Sequence, residues 1–529
     1  MLSRDHRRAR IVLVALAACS GQTAQGPEPR PEAGQAVPAP VPELAPAMPP
    51  NPDSPSAFTT PPPRRPDMAV DLPEAPVPPA CDLAFTEVAA FQAVKSVLWR
   101  EGEIVESPVN LVAGKATLFR AYVAPGPQWD LRMVKARLSL FVPDHEVRHY
   151  EAETWMTESS TDASGASTFN FSVEGQAMTP QTRYRVELEL GSDCQGPAAR
   201  VPREGPLPVG AVEVAPFELM IVPFAYGADG SFRLPDTSSA QIELIRANLS
   251  AMLPMSEIVI SQHLPVPTGI VLSAETFPLL LDELRAMRAK EAPRQAVHYL
   301  GLVAPTNELE DYCKGNCTAG LGFSNLANLP ELRVAVSVGF AGDVSVRALV
   351  HELGHTLGLL HAPCNAGETV DPAYPHEGGL VGVWGFDHRA RSLRAPTLVA
   401  DFMGYCSDHW ISDYSFAKVL GRLRSFMTAT AAFTAGEDRH EPYVTLYLTA
   451  QGGVRAGARH PLGAPLPGAP LAVRFEPDQG AAETVRVYPL PFADAGGHLF
   501  LVPARLQERP GQLFLSGVTW GPVRIPTED

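Results

Sequence analysis

Residues 351–361 read His-Glu-Leu-Gly-His-Thr-Leu-Gly-Leu-Leu-His, and the reading of this stretch decides the rest. On a helix, His351 and His355 stand one turn apart on the same face, so two imidazoles can meet one metal ion. Glu352 follows the first histidine and can lie beside the ion without ligating it. Gly358 lets the backbone leave the helix sharply, because glycine tolerates positive φ. His361 then swings back as a third ligand. Three histidines leave one tetrahedral position of Zn²⁺ open, the layout of a catalytic rather than a structural site. The helix is amphipathic: Val346, Val350, Leu353 and Leu357 form one apolar stripe. At about 100° per residue, His351 and His355 point roughly 130–170° away from it. The expectation is a helix with one face in a core and the other facing a cleft.

A second element follows downstream, Asp401-Phe402-Met403-Gly404-Tyr405-Cys406. Together the two strings resemble the metzincin zinc endopeptidases, whose Met-turn places a methionine beneath the zinc site. The resemblance implies one catalytic Zn²⁺ on His351, His355 and His361, Glu352 as general base, and Met403 as the Met-turn residue. It implies that Tyr405 matches the tyrosine some metzincins use beside the zinc, as an oxyanion stabiliser. It covers about 215 residues, strongly at the two motifs and weakly elsewhere.

The chain has 529 residues, too long for a single core, so two to four domains are expected. The formal net charge is −16, with no Lys/Arg-rich run beyond the first ten residues, which argues against nucleic-acid binding. No apolar stretch is long enough for a transmembrane helix.

Arg4, Arg7, Arg8 and Arg10 precede a short apolar run, Ile11 to Ala18, which reads as a signal peptide over residues 1–18. It ends Leu-Ala-Ala-Cys. That string resembles the bacterial lipobox, implying a lipidated Cys19 and, with Ser20 next, an outer-membrane lipoprotein; a plain cleaved signal and a secreted protein is the alternative. Residues 27–80 hold 19 prolines in 54 positions. Such a segment cannot bury a core, so residues 19–80 should form an extended tether holding the folded part away from the membrane.

Six further cysteines, an even number in an exported chain, suggest disulfides. Cys313 and Cys317 read as a small closed loop. Cys81 and Cys194 bracket one strand-rich segment and are expected to pair. Cys364 lies three residues past His361 and Cys406 three past Met403, so both flank the metal site and are expected to pair. Some metzincins cap zinc with a latency thiol, but Pro-Pro-Ala-Cys81-Asp-Leu lacks that motif.

The fold class expected is multidomain α+β: a metzincin-like catalytic domain, with a twisted mixed sheet and a zinc helix, flanked by β-sandwich-type domains. Residues 81–212 carry short β-rich runs at Lys115–Tyr122, Val134–Val142, Thr168–Val173 and Tyr184–Leu190, which suggest a β-sandwich. In residues 215–430, strands are expected at Phe217–Phe224, Ile258–Ser261, Val297–Val303, Gly320–Ser324 and Arg333–Phe340. Helices are expected at Ser238–Leu253, with a capping box of Ser238 and Gln241, near Glu275–Lys290, and at Ser412–Phe426. Gly320–Ser324 stands where the metzincin edge strand would be, and an edge strand can pair with an extended peptide. Residues 435–529 alternate again, at Tyr443–Leu448, Leu471–Phe475, Thr484–Tyr488, Leu499–Val502 and Leu513–Val518, as a second small β domain whose role the sequence does not disclose.

The expected function is zinc-dependent hydrolysis of peptide bonds in extracellular proteins, with protein or peptide substrates and a lipid-anchored membrane association. The rival is a non-enzymatic surface adhesin retaining the fold, against which the presence of Glu352 argues. His376, His388 and His409 lie near the site in sequence but read as surface or supporting residues rather than ligands.

Overall fold

The computed structural model describes residues 82–526 apart from 128, 191–198, 292, 315–316, 325–328, 367–369, 407, 429–440, 463–465 and 516–521. The expectations for Cys19, the signal peptide, the tether and the Cys81–Cys194 pair lie outside the described residues.

The central layer is a six-stranded sheet. Its strands are β1 (Phe217–Tyr226), β2 (Ile258–Gln262), β3 (Val266–Thr268), β4 (Val297–Val303), β5 (Gly320–Gly322) and β6 (Val334–Val338). The order is β2-β1-β4-β6-β5, with β3 also pairing β1. All pairings are parallel except β5, which runs antiparallel to β6 at the edge. The helices are α1 (Ser239–Met252), α2 (Phe277–Glu291), α3 (Asp343–Thr356) and α4 (Asp413–Thr428).

The period-two alternation of strand side chains sorts two cores onto the two faces. Phe217, Leu219, Ile221, Leu300, Leu302 and Ala335 join α1, α3 and α4 on one face. Val222, Phe224, Tyr299, Val334, Val336 and Val338 join α2 on the other. Gly301 on β4 has no room for more, since a Cβ there would come within 2.7 Å of the Phe224 ring and 3.0 Å of Leu284 and Val336. The apolar stripe of α3 is buried throughout: Val346, Val350, Leu353 and Leu357 are at most 3% exposed.

Ser238 caps α1, its hydroxyl accepting from the Gln241 amide at 3.3 Å. The reciprocal half of the expected box is not made. Gln241 turns its side chain across to the start of α3, accepting from the Gly342 amide at 3.0 Å, while the Ser238 amide donates to Asp236 at 2.9 Å. A partly buried backbone amide at a helix entry is thereby satisfied.

Before this layer, two five-stranded antiparallel sheets enclose one core, with Val88, Phe119 and Phe171 from one sheet meeting Ala136, Leu138 and Val186 from the other. Six of their ten strands escape the sequence reading, among them Leu83–Phe91 and Arg148–Met156. The first is an Ala-rich run buried on both sides, and the second faces solvent along most of its length.

After it come β7 (Tyr443–Leu448), β8 (Val454–Arg459), β9 (Leu471–Pro477), β10 (Glu483–Leu490), β11 (His498–Pro503), β12 (Gly511–Phe514) and β13 (Val523–Arg524). They form one antiparallel sheet, order β8-β7-β11-β10-β9-β12-β13, rather than two separate ones. Strand β10 is the hinge between its halves: residues 483–487 pair with β9 and Tyr488–Leu490 with β11.

This last sheet is welded to the central layer. Tyr443, Tyr447, Leu490, Leu499 and Leu501 share a core with Phe277, Leu280 and Leu284 of α2. Beneath them, Arg285 donates to Asp282 at 2.8 Å, to Thr445 at 3.2 Å, and lies 3.0 Å from His460 Nδ1. Asp282 and Arg285 are fully buried. A second Asp282 oxygen accepts from the Ala458 amide at 2.8 Å, so the buried pair is satisfied from both sides of the interface.

Two disulfides, Cys313–Cys317 and Cys364–Cys406 (Cα–Cα 4.6 and 5.8 Å), mark an exported chain. No helix among the described residues is long and apolar enough to cross a membrane.

Candidate metal centre

Helix α3 presents His351 and His355 on its polar face, and Gly358, at φ 93°, turns the chain out of the helix. His361 returns on the segment that bridges to Val370. The three rings crowd together with centroids 4.8–5.3 Å apart. Each helical histidine is oriented through its far nitrogen: His351 Nδ1 lies 2.9 Å from the Phe402 carbonyl and His355 Nδ1 2.9 Å from the Leu359 carbonyl. A carbonyl can only accept, so Nδ1 carries a proton in both, which leaves Nε2 as the atom that would face a metal. Burial pulls His361 down to about 4 against the opposing influence of Asp494.

The segment 401–406 lies underneath. Asp401 fixes it, accepting from the Met403 amide and the Ser412 amide at 2.9 Å each. Met403 is fully buried. A Cβ on Gly354 would lie 2.4 Å from the Met403 sulfur, so the sulfur occupies the room beneath the middle of the site helix. The Ala362 amide donates to the Met403 carbonyl at 3.1 Å and the Tyr405 amide to the Cys364 carbonyl at 2.8 Å. The Cys364–Cys406 bond clamps these two segments. Tyr405 reaches up from the turn, its hydroxyl 2.9 Å from His361 Nε2.

Above the helix runs β5. A Cβ on Gly322 would meet the Glu352 carbonyl oxygen at 2.7 Å, and one on Gly320 would meet the Glu352 side chain at 2.5 Å. Only glycine lets the edge strand come this close. Glu352 is consequently buried, at 1% exposure, with Oε2 left without a partner. Burial pushes its carboxyl well above the usual range, and the neighbouring Asp494 charge pushes the same way.

One departure from expectation concerns the cleft. The polar face of α3 is not open: His351, His355 and His361 are at most 3% exposed. Asp494, from the turn between β10 and β11, covers them. Its Oδ2 lies 2.9 Å from His355 Nε2 and 3.7 Å from His351 Nε2, and its Oδ1 lies 2.7 Å from His361 Nε2. Tyr405 donates to Oδ1 as well. Burial alone would raise the Asp494 carboxyl, but the imidazoles around it hold it well below its ordinary range. No local signal marks Asp494 as part of this centre; it stands 139 residues from His355, and Asp-Ala-Gly-Gly reads only as a hairpin turn.

The donor set fits a metal ion. The four residues each offer one ligand atom, all within 4.8 Å of one another. His351 Nε2, buried and aimed into the cluster, has no hydrogen-bond partner. Three imidazoles and a carboxylate suit Zn²⁺. Among the histidines read as supporting residues, His376 pairs with Asp413 at 2.6 Å and His388 Nε2 lies 3.1 Å from the Phe91 carbonyl. His409 stands half-buried on a two-residue strand, and none of the three joins the cluster.

Residues 335–408 match the Peptidase M66 family. That segment runs from β6 through α3 and His361 to the Met403–Tyr405 turn, and it stops well short of Asp494. The match supports a metallopeptidase, and the histidine cluster fits its metal site. The chain matches no curated protein.

Proposed function

We propose that the chain is a zinc endopeptidase with a metzincin-like catalytic domain, cleaving extracellular proteins or peptides. The observation that carries this reading is the convergence of three histidine Nε2 atoms beside a buried Glu352 whose Oε2 has no hydrogen-bond partner, within the segment that matches a peptidase family. His351, His355 and His361 would hold one ion. Zinc bound there supplies Lewis-acid chemistry, polarising a peptide carbonyl and making water acidic enough to attack at neutral pH. Glu352 takes the proton of the attacking water and delivers it to the leaving amine, a general acid–base role. The Tyr405 hydroxyl donates to the oxygen on which charge develops. Strand β5 holds an extended substrate by main-chain pairing along its outer edge.

The lipidated Cys19 and the Pro-rich tether would place this domain at the outer-membrane surface, facing substrates outside the cell. The test is incubation of the zinc-loaded protein with a proteome-derived peptide library, with and without chelator. Glu352→Gln spares the three ligands, so zinc should stay bound while cleavage falls by ~10²–10⁴-fold or more. A non-enzymatic adhesin would bind partners equally well with either residue and cleave nothing.

A further inference from the structure

The turn between β10 and β11 does more than touch the histidines. The Ser324 amide donates to the Pro491 carbonyl at 3.0 Å and the Ala493 amide to the Gly322 carbonyl at 3.1 Å. Phe323 and Phe492 form an antiparallel bridge. Residues Pro491–Ala493 therefore pair with residues 322–324, covering the outer edge where β5 ends, an edge an extended peptide would use. At the next residue the chain turns sharply: Asp494 has φ 64°, and the Ala495 amide donates back to the Ala493 carbonyl at 2.9 Å. That turn aims the carboxylate at the three imidazoles.

We infer that this hairpin is a built-in plug: residues 491–495 occupy the peptide-binding edge and Asp494 closes the metal's fourth position, so that the chain is self-inhibited as folded. The inference rests on the peptidase reading and adds its regulation. A catalytic zinc site keeps one position for water or substrate, whereas four protein ligands make a closed site. Three histidines and Asp494 are four. The same loop fills the edge strand, so metal access and substrate access are blocked together.

The body of the last sheet cannot swing away cheaply. Its Tyr443, Tyr447, Leu490 and Leu499 are buried against α2, and the Asp282–Arg285 pair is satisfied across the same interface. The element free to withdraw is the loop 491–497 alone, which ends in Gly496 and Gly497, the latter at φ 106°. The loop is held by two main-chain hydrogen bonds to residues 322 and 324, by Asp494 on the histidines and Tyr405, by the Tyr447 hydroxyl donating to the Gly496 carbonyl at 3.0 Å, and by Phe492 packed against the core; a peptide pairing with β5 could replace the main-chain bonds.

The test uses the full chain as wild type, Asp494→Ala and Asp494→Asn, the second keeping side-chain size. With Co²⁺ in place of zinc, the visible spectrum reports the coordination shell, and acetohydroxamate probes an accessible position. Wild type should show a spectrum that barely responds to acetohydroxamate; both variants should respond at low concentration. With zinc, peptide cleavage by Asp494→Ala should exceed wild type by ~10-fold or more, the factor expected if the open form is a tenth of the population or less. Equal spectral responses in wild type and variants, or an Asp494→Ala protein cleaving no faster than an active wild type, would overturn the plug. If the spectra differ as expected but neither zinc-loaded protein cleaves any peptide, Asp494 ligation stands and the peptidase reading fails.

Discussion

Replacing Gly322 by alanine should damage the site from a distance, and the size of the damage follows from the packing. A Cβ at 322 would sit 2.7 Å from the Glu352 carbonyl oxygen and 3.2 Å from His355 Cβ. The first contact is helix backbone, which cannot rotate aside. To restore ordinary contact at 3.4 Å, β5 must move off α3 by about 0.7 Å. Overpacking of this kind costs about 1–3 kcal/mol, and at about 2 cal/mol/K of unfolding entropy per residue each kcal/mol lowers the melting temperature of so large a folded unit by about 1 °C. A displacement approaching 1 Å between peptide-binding strand and reacting groups costs up to ~10²-fold in rate. Gly421, on the exposed side of α4 with nothing within 4 Å of its Cβ position, is the matched control. There alanine should stabilise by up to about 1 kcal/mol through helix propensity. Thermal unfolding followed by circular dichroism, with peptide cleavage measured on the same samples, checks both. A Gly322→Ala protein melting at the wild-type temperature and cleaving at the wild-type rate would refute the claim that β5 rests directly on the site helix.

Three further outcomes are expected. Serine at both Cys364 and Cys406 removes a bond closing a separation of 42 residues; loop entropy alone makes this about 4 kcal/mol less stable, read as a lower urea midpoint and weaker zinc retention against a competing chelator. Arg285→Met leaves the buried Asp282 carboxylate unpaired and should cost about 3–5 kcal/mol, most of it regained in Asp282→Asn with Arg285→Met. Burial brings Lys115 down to about 7 from 10.5, so between those values the unfolded chain holds a proton the native one lacks. Stability should therefore rise with pH across that window relative to Lys115→Met, and a urea midpoint difference between the two proteins that stays flat from pH 7 to pH 10 would contradict it.

The histidine string was legible because its geometry is local: spacing along one helix fixes which side chains share a face, and Gly358 announces the exit. The strands of the central sheet were legible for a similar reason, since Val334–Val338 and Phe217–Phe224 are continuous apolar runs that only a doubly covered sheet accommodates. What escaped was set by partners distant in the chain. Arg148–Met156 is a strand with polar or aromatic residues on both faces, so no pattern marks it. Gln241 had the spacing for a reciprocal cap, yet the Gly342 amide at the entry of α3 competed for it and won. Asp494 escaped most completely. Turn residues say where a hairpin reverses, not which surface its tip meets, and the polar face of α3 gave no sign that the chain itself would cover it.

The central claim is that His351, His355, His361 and Glu352 form one hydrolytic zinc centre. The most direct measurement compares peptide-library cleavage by zinc-loaded wild type and Asp494→Ala, each with and without Glu352→Gln, with metal content determined on every sample. The account predicts chelator-sensitive cleavage in the Glu352 proteins, fastest with Asp494→Ala. It predicts near-complete loss on Glu352→Gln while about one zinc per chain is retained, since general-base removal spares the ligands. Absence of cleavage by both zinc-loaded Glu352 proteins, or a Glu352→Gln protein cleaving as fast as its parent, would contradict it.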